Sequence, residues 1–187
     1  MPLHVTKRGV YAVAVPIELV KELRERTGAG IKECKDILEQ TDGNIARAIE
    51  ILRERGIEAA AKKATREARE GLIGVYVHYG SRVAGMVELN CETDFVARTE
   101  DFVALANGLA QHVVALNPRY INVDDVTDEA VAESGLTRDK FIEENVLLQQ
   151  PFVKEPARTI EELIKEAIAK LGENIVVRRF VRYEVGA

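Results

Sequence analysis

Side chains able to do covalent chemistry are sparse in this sequence. Two cysteines, Cys34 and Cys91, and three histidines, His4, His78 and His112, are the candidates for a nucleophile or a base near neutral pH. A Cys91 thiolate activated by His78 would make a small thiol enzyme, and that is one reading. Against it, the alternation of "RVAGMVELNC" puts Cys91 on the packed face of a strand, where a thiol is inert. His78 reads as a partly exposed or hydrogen-bonded strand residue. His112 faces away from the apolar stripe of its helix and is expected in solvent. No histidine has a second ligand at metal spacing, no carboxylate pair suggests acid–base work, and "GAGIKE" lacks the second half of a phosphate loop. Neither a cofactor nor a metal site is expected.

Two stretches instead carry recognition chemistry. In "AAAKKATREAR", Lys62, Lys63, Arg66 and Arg69 make a cationic face, which is either a docking surface or simply a solvated helix. In "NCETDFVART", an acid, Asp94, precedes a bulky apolar pair, Phe95 and Val96. If one helix ran unbroken from Thr93, Phe95 would share the buried stripe of Phe102. Thr99, followed by Glu100 and Asp101, looks instead like a fresh helix start, with acids at the positive end of the dipole. Thr93 likewise can cap the single turn "DFVA". Two caps so close imply a corner, and a corner would leave Phe95 or Val96 projecting as an apolar anchor beside a polar handle. The pattern leaves core and anchor both open.

The elements that must position these residues are legible from periodicity. Ile17, Val20 and Leu23, with Leu19 offset, mark a first helix that "TGAG" stops. Ile31, Cys34, Ile37 and Leu38 mark a second. Asn44 caps a third, carrying Ile45, Ala48, Ile49 and Leu52, which Gly56 is placed to end. These make a compact three-helix bundle over residues 16–56, preceded by an extension, 1–15, that reads as poorly ordered rather than as a signal peptide. Residues 57–70 read as an exposed connector helix and 71–187 as a core domain. In that core Ile73, Val75, Val77 and Tyr79 share a strand face, and Gly80–Ser81 signals a hairpin. Val83, Gly85, Val87, Leu89 and Cys91 share a face of the return strand. A helix follows on Phe102, Leu105, Leu109, Val113 and Leu116, then an acidic stretch with short helical patterns. A helix capped by Thr159 and the strand "IVVRRFVRYEV" close the chain. The fold class is α+β: a three-helix bundle plus a core with a small antiparallel sheet of about three strands covered by helices on one face. Three strands leave sheet edges that an oligomer could cover.

Composition narrows the function. Of 187 residues 47% are apolar and 30% charged, no apolar run approaches the roughly 20 residues of a membrane span, and the net charge is −5. That charge argues against direct, phosphate-driven nucleic-acid binding. Cysteines in no disulfide-like pattern point to a reducing cytoplasm.

Four stretches together resemble the translation elongation factor Ts family: "ELVKELRERTGAGIKECK", "AAAKKATREAREGLIGVYV", "VELNCETDFVAR", and "QPFVKE" with "IAKLGENIVVRRF". The resemblance spans about Ile17 to Ala187. It implies a guanine-nucleotide exchange factor that binds elongation factor Tu carrying GDP and promotes GDP release, with no covalent catalysis of its own. It implies a ubiquitin-associated-like fold for the three-helix bundle. It implies that Thr93, Asp94, Phe95 and Val96 form the nucleotide-release wedge, with Asp94 and Phe95 entering the partner's GTPase domain. Arg24, Ile31, Lys32 and Lys63 match docking residues of the family, and His78 matches a core contact loosely. The motif occurs once and no coiled-coil arm is present, so the chain resembles the family's short form. The segment between Val131 and Val146 is shorter than in many members. Val181 stands where some short forms have an intersubunit cysteine. A half-sized core with open sheet edges fits a homodimer in which each copy supplies half of the contacts. The alternative is a non-catalytic adaptor, a ubiquitin-associated-like bundle tethered to a binding core without exchange activity.

Overall fold

The structure, a computed structural model, describes residues 15–187. The extension expected over residues 1–15 therefore lies outside the described residues, except Val15, which packs against the first helical core. The chain divides into two compact units between Ala61 and Lys62.

The first unit is helical. α1 (Ile17–Thr27), α2 (Ile31–Gln40) and α3 (Ile45–Lys63) enclose Val20, Leu23, Cys34, Ile37, Leu38 and Ala48. The Asn44 side chain accepts from Arg47 N at 3.0 Å, the expected cap of α3. Ile17 and Ile31 share the spacing of the apolar stripes, yet both are mostly exposed. Each is the first residue of its helix, so its side chain lies beyond the core that the next turns cover. α3 also passes through Gly56 and ends at Lys63. Gly56 does not take the left-handed φ of a helix-stopping glycine. A glycine inside a helix costs about 1 kcal/mol relative to alanine, and the strong helix formers on either side outweigh it. Residues 64–69, expected in a connector helix, are not helical.

The second unit is built on an antiparallel sheet of order β1–β2–β5, formed by β1 (Glu70–Val77), β2 (Val83–Cys91) and β5 (Val176–Glu184). Between β2 and β5 come α4 (Asp94–Ala97), α5 (Glu100–Leu116), α6 (Asp128–Ser134), α7 (Arg138–Asn145), a short hairpin of β3 (Pro151–Phe152) and β4 (Glu155–Thr159), and α8 (Ile160–Leu171). This is the α+β core with helices on one sheet face. α5 lies very close to that face. A Cβ on Gly74 would sit 2.3 Å from the Ala106 carbonyl oxygen, and one on Gly85 would sit 2.8 Å from Val114. The strand residues facing α5 are thus Leu72, Gly74 and Tyr76, paired with Leu89, Val87 and Gly85. The more apolar row of β1, Ile73, Val75 and Val77, lines the other face and is exposed, at 59% for Ile73.

α5 is buried on more than one side, and this overturns the expectation for His112. The hairpin β3–β4 covers the flank opposite the sheet: a Cβ on Gly108 would meet Phe152 at 3.1 Å, and His112 stacks on the Phe152 ring. His112 is fully buried, not solvated. Its Nδ1 accepts from Val153 N at 3.2 Å and its Nε2 bonds Gln150 Oε1 at 2.9 Å. A satellite core of Val126, Phe141 and Val146 closes the acidic segment.

Candidate functional site

The stretch Cys91–Thr99 folds as the corner that its two threonines suggest. Thr93 leaves β2 in an extended conformation, and its hydroxyl accepts from Val96 N at 3.5 Å, capping α4. Thr99 does the same for α5, accepting from Phe102 N at 3.3 Å while donating to Val96 O at 2.8 Å. α4 is a single turn. Residues two apart on a helix point about 200° away from each other. Ala97 turns inward and is buried, so Phe95 is driven outward and is 80% exposed. Val96 is half-buried. Of the two readings of Phe95, core or projecting ring, the structure selects the second.

Asp94, in the first turn of α4, is paired with Arg98 at 2.8 Å. Arg98 is well exposed and Asp94 about half so, and a solvent-facing pair of this kind is cheap to exchange for another partner. Under the corner, the Cys91 thiol donates to Thr93 O at 3.1 Å. Burial, with the Glu173 carboxylate adding to it, pushes that thiol above its ordinary pKa. Such a group is a poor nucleophile. Nor is His78 near it: His78 follows the far end of β1, while Cys91 pairs with Glu70 at the near end. An eight-residue strand separates them by on the order of 25 Å. His78 instead bonds the Tyr76 hydroxyl at 3.2 Å in an exposed setting.

The corner is held from below by residues that sequence reasoning missed. Glu173, just past the end of α8, accepts from Glu92 N at 3.1 Å and Thr93 N at 3.0 Å with one oxygen, and from the Thr93 hydroxyl at 2.6 Å with the other. Asn174, buried, donates from its backbone to Glu92 at 2.7 Å and from its side chain to Arg66 O at 2.7 Å and Ala64 O at 3.4 Å. Arg66 in turn faces Glu92 at 3.5 Å. One signal was available: an acid directly after a helix-ending glycine sits at the negative end of the dipole and needs donors from elsewhere.

The docking candidates fall in both units. Arg24, Ile31 and Lys32 flank the turn between α1 and α2, all exposed, with Ile31 at 60%. Lys63 belongs to the second unit, half-buried, and its Nζ donates to Ile168 O on α8 at 3.4 Å. The structure therefore brings Lys63 and Thr93–Val96 onto one support, the end of α8 and its following turn. It does not bring His78 there.

Two matches to a family model described as Elongation factor TS cover residues 12–138 and 134–187. They meet inside the segment that is short by resemblance. The chain is 50% identical over 197 aligned positions to the Elongation factor Ts of Herpetosiphon aurantiacus, covering 94% of this chain and 100% of that relative. It is 48% identical to the Elongation factor Ts of Thermosipho melanesiensis, over 92% of this chain and 99% of the relative. That of Moorella thermoacetica is also 48% identical, over 89% of this chain and 93% of its own length.

Proposed function

Because the chain belongs to the elongation factor Ts family, we propose that it is the guanine-nucleotide exchange factor of elongation factor Tu, binding the GDP-bound form and driving GDP release in the cytoplasm during translation elongation. One observation carries this reading: Phe95, an aromatic ring with no place in its own core, stands at a corner capped on both sides. A ring so held can enter a partner without the factor first having to order it.

The mechanism is differential binding. The factor makes and breaks no covalent bond. It speeds release only by favouring the nucleotide-free partner, and whatever factor it weakens GDP by, GDP weakens it by the same factor. Phe95 wedges between helices of the GTPase and shifts the elements that hold Mg²⁺ and the β-phosphate. Asp94 exchanges Arg98 for a hydrogen bond to the shifted partner. Arg24, Ile31, Lys32 and Lys63 supply docking that does not depend on the nucleotide state.

The protein works as a homodimer in this reading. The support is the exposed sheet face: Ile73, Val75 and Val77 of β1, Met86 of β2 and Tyr183 of β5 are all exposed and apolar or aromatic. The Glu88–Arg179 pair, at 2.6 Å across β2 and β5, adds no net charge to that face. A patch of this kind is a self-association surface of the two-fold type.

Stopped-flow release of a fluorescent GDP from elongation factor Tu tests the function. Release that accelerates and saturates with added protein is expected. Binding to elongation factor Tu with no faster release would reduce the protein to an adaptor.

A further inference from the structure

We propose that Glu173 and Asn174 are positioning residues for exchange: this dipeptide fixes the Thr93 cap, and through it the Phe95 ring, relative to the segment 64–66 that directly follows Lys63. The proposal rests on the exchange reading above.

α4 is one turn long. An isolated turn has no stability of its own, because nucleation fixes several dihedrals for one hydrogen bond. Whether Phe95 stands where the partner needs it therefore depends on what holds α4 from outside. The Thr93 hydroxyl has two tasks: it accepts from Val96 N, and it donates to Glu173. The carboxylate can only accept, so it draws the hydroxyl hydrogen toward itself and leaves a lone pair aimed at Val96 N. The same carboxylate takes the backbone N–H groups of Glu92 and Thr93. These are charge-assisted bonds, the stronger kind.

Asn174 performs the matching task on the other segment. Residues 64–69 are not helical, so the carbonyls there have lost their helical donors. The Asn174 amide supplies donors to Ala64 O and Arg66 O. Glu92 closes the arrangement, accepting from Asn174 N and facing the Arg66 guanidinium. Two consecutive residues thus span the gap between the release corner and the segment that follows Lys63. Their spacing becomes a property of the turn after α8 rather than of two independent loops.

The test combines amide hydrogen exchange with saturation kinetics of GDP release on the full chain. In Glu173→Ala the Thr93 and Val96 amides are expected to lose protection, while the Phe102 amide, capped by Thr99, keeps it. The saturating release rate is expected to fall on the order of tenfold, as for a misplaced reacting group, with the half-saturating concentration changed less than about twofold. Thr93→Ala should reproduce the loss, Thr93→Ser should restore it, and Thr93→Ala with Glu173→Ala should be no worse than either alone. Should Glu173→Ala lose protection throughout, the isosteric Glu173→Gln, which cannot accept from all three donors, takes its place. A folded Glu173 variant with the full release rate and a protected Val96 amide overturns the proposal, as do additive losses in the double variant. If the natural sequence itself does not speed release, the exchange reading falls, and the amide measurements alone still decide whether Glu173 sets the corner.

Discussion

Phe95 and Ala97 occupy opposite sides of one helical turn, with Ala97 sealed against the core and Phe95 80% exposed. The inward methyl therefore fixes the outward ring. Phe95→Ala removes little that folding uses, so stability should change by no more than about 0.5 kcal/mol in thermal melts. Its saturating GDP-release rate should fall much more than its affinity for nucleotide-free elongation factor Tu. Lys63→Ala should do the reverse, raising the half-saturating concentration and leaving the saturating rate. Equal effects of both substitutions on both quantities would end this division of labour.

How much of this could be read from the chain depended on the range of the interaction. The Thr93 and Thr99 caps were legible because a cap is decided within four residues. The direction of Phe95 was not, since it follows from where Ala97 packs. In β1 the alternation was plain, but both rows are apolar apart from Gly74. The choice of inner face turns on how near α5 comes, which only the folded unit sets. His112 departs from its pattern because an amphipathic stripe assumes one buried side, and the β3–β4 hairpin supplies a second. The bonds from Glu173 to Thr93 cross 80 residues of chain, beyond any local pattern.

The closeness of α5 to β1 makes Gly74 a sensitive position. A Cβ there would lie 2.3 Å from Ala106 O and 2.4 Å from its carbonyl carbon, rigid backbone rather than a side chain able to move. Gly74→Ala should cost about 1–3 kcal/mol or more by overpacking. Displacing α5 also moves the Thr99 cap, so the release rate should fall with stability. Gly30→Ala meets nothing within 4 Å and should cost no more than about 1 kcal/mol, the loss of a modest N-cap for α2. Denaturant titrations of the two variants check the contrast, and a stable Gly74→Ala would refute the close approach.

His112 should make stability depend on pH. Val153 N donates to Nδ1, so Nε2 carries the proton and donates to Gln150 Oε1, and the buried ring is neutral. Burial holds its pKa below the ordinary value, and the Gln150 bond opposes this only in part. In the unfolded chain the ring takes up a proton near pH ~6.5. The unfolded state thus binds the extra proton first as pH falls. The stabilisation is complete above about pH 6.5 and is lost as pH drops toward the lowered folded value. Thermal melts of the natural sequence should fall between about pH 7 and pH 5.5. His112→Phe should melt lower at every pH, since Val153 N and Gln150 Oε1 lose their partner, but with a flatter slope in that window. An unchanged slope would assign the effect to another group.

The exposed sheet face gives the last test, of assembly. Val75 lies at the centre of the outward row of β1 and pairs in register with Met86, which pairs in turn with Val181 of β5. Directly opposed residues point to the same side of a sheet, so the three form one cross-strand row on the face away from α5. Val75 is more than half exposed, so a charge there is tolerated by the lone subunit but would be buried unpaired in a two-fold contact between such faces. If the proposed homodimer forms through this face, Val75→Glu should leave the secondary structure and melting of the subunit nearly intact while lowering the light-scattering mass at micromolar concentration from two subunits to one. Arg178→Glu, at the bulge of the edge strand β5, should leave the two-subunit mass unchanged, which separates association through the face from association through that edge. A monomeric mass for the natural sequence, or a Val75→Glu dimer, would remove the face from the assembly.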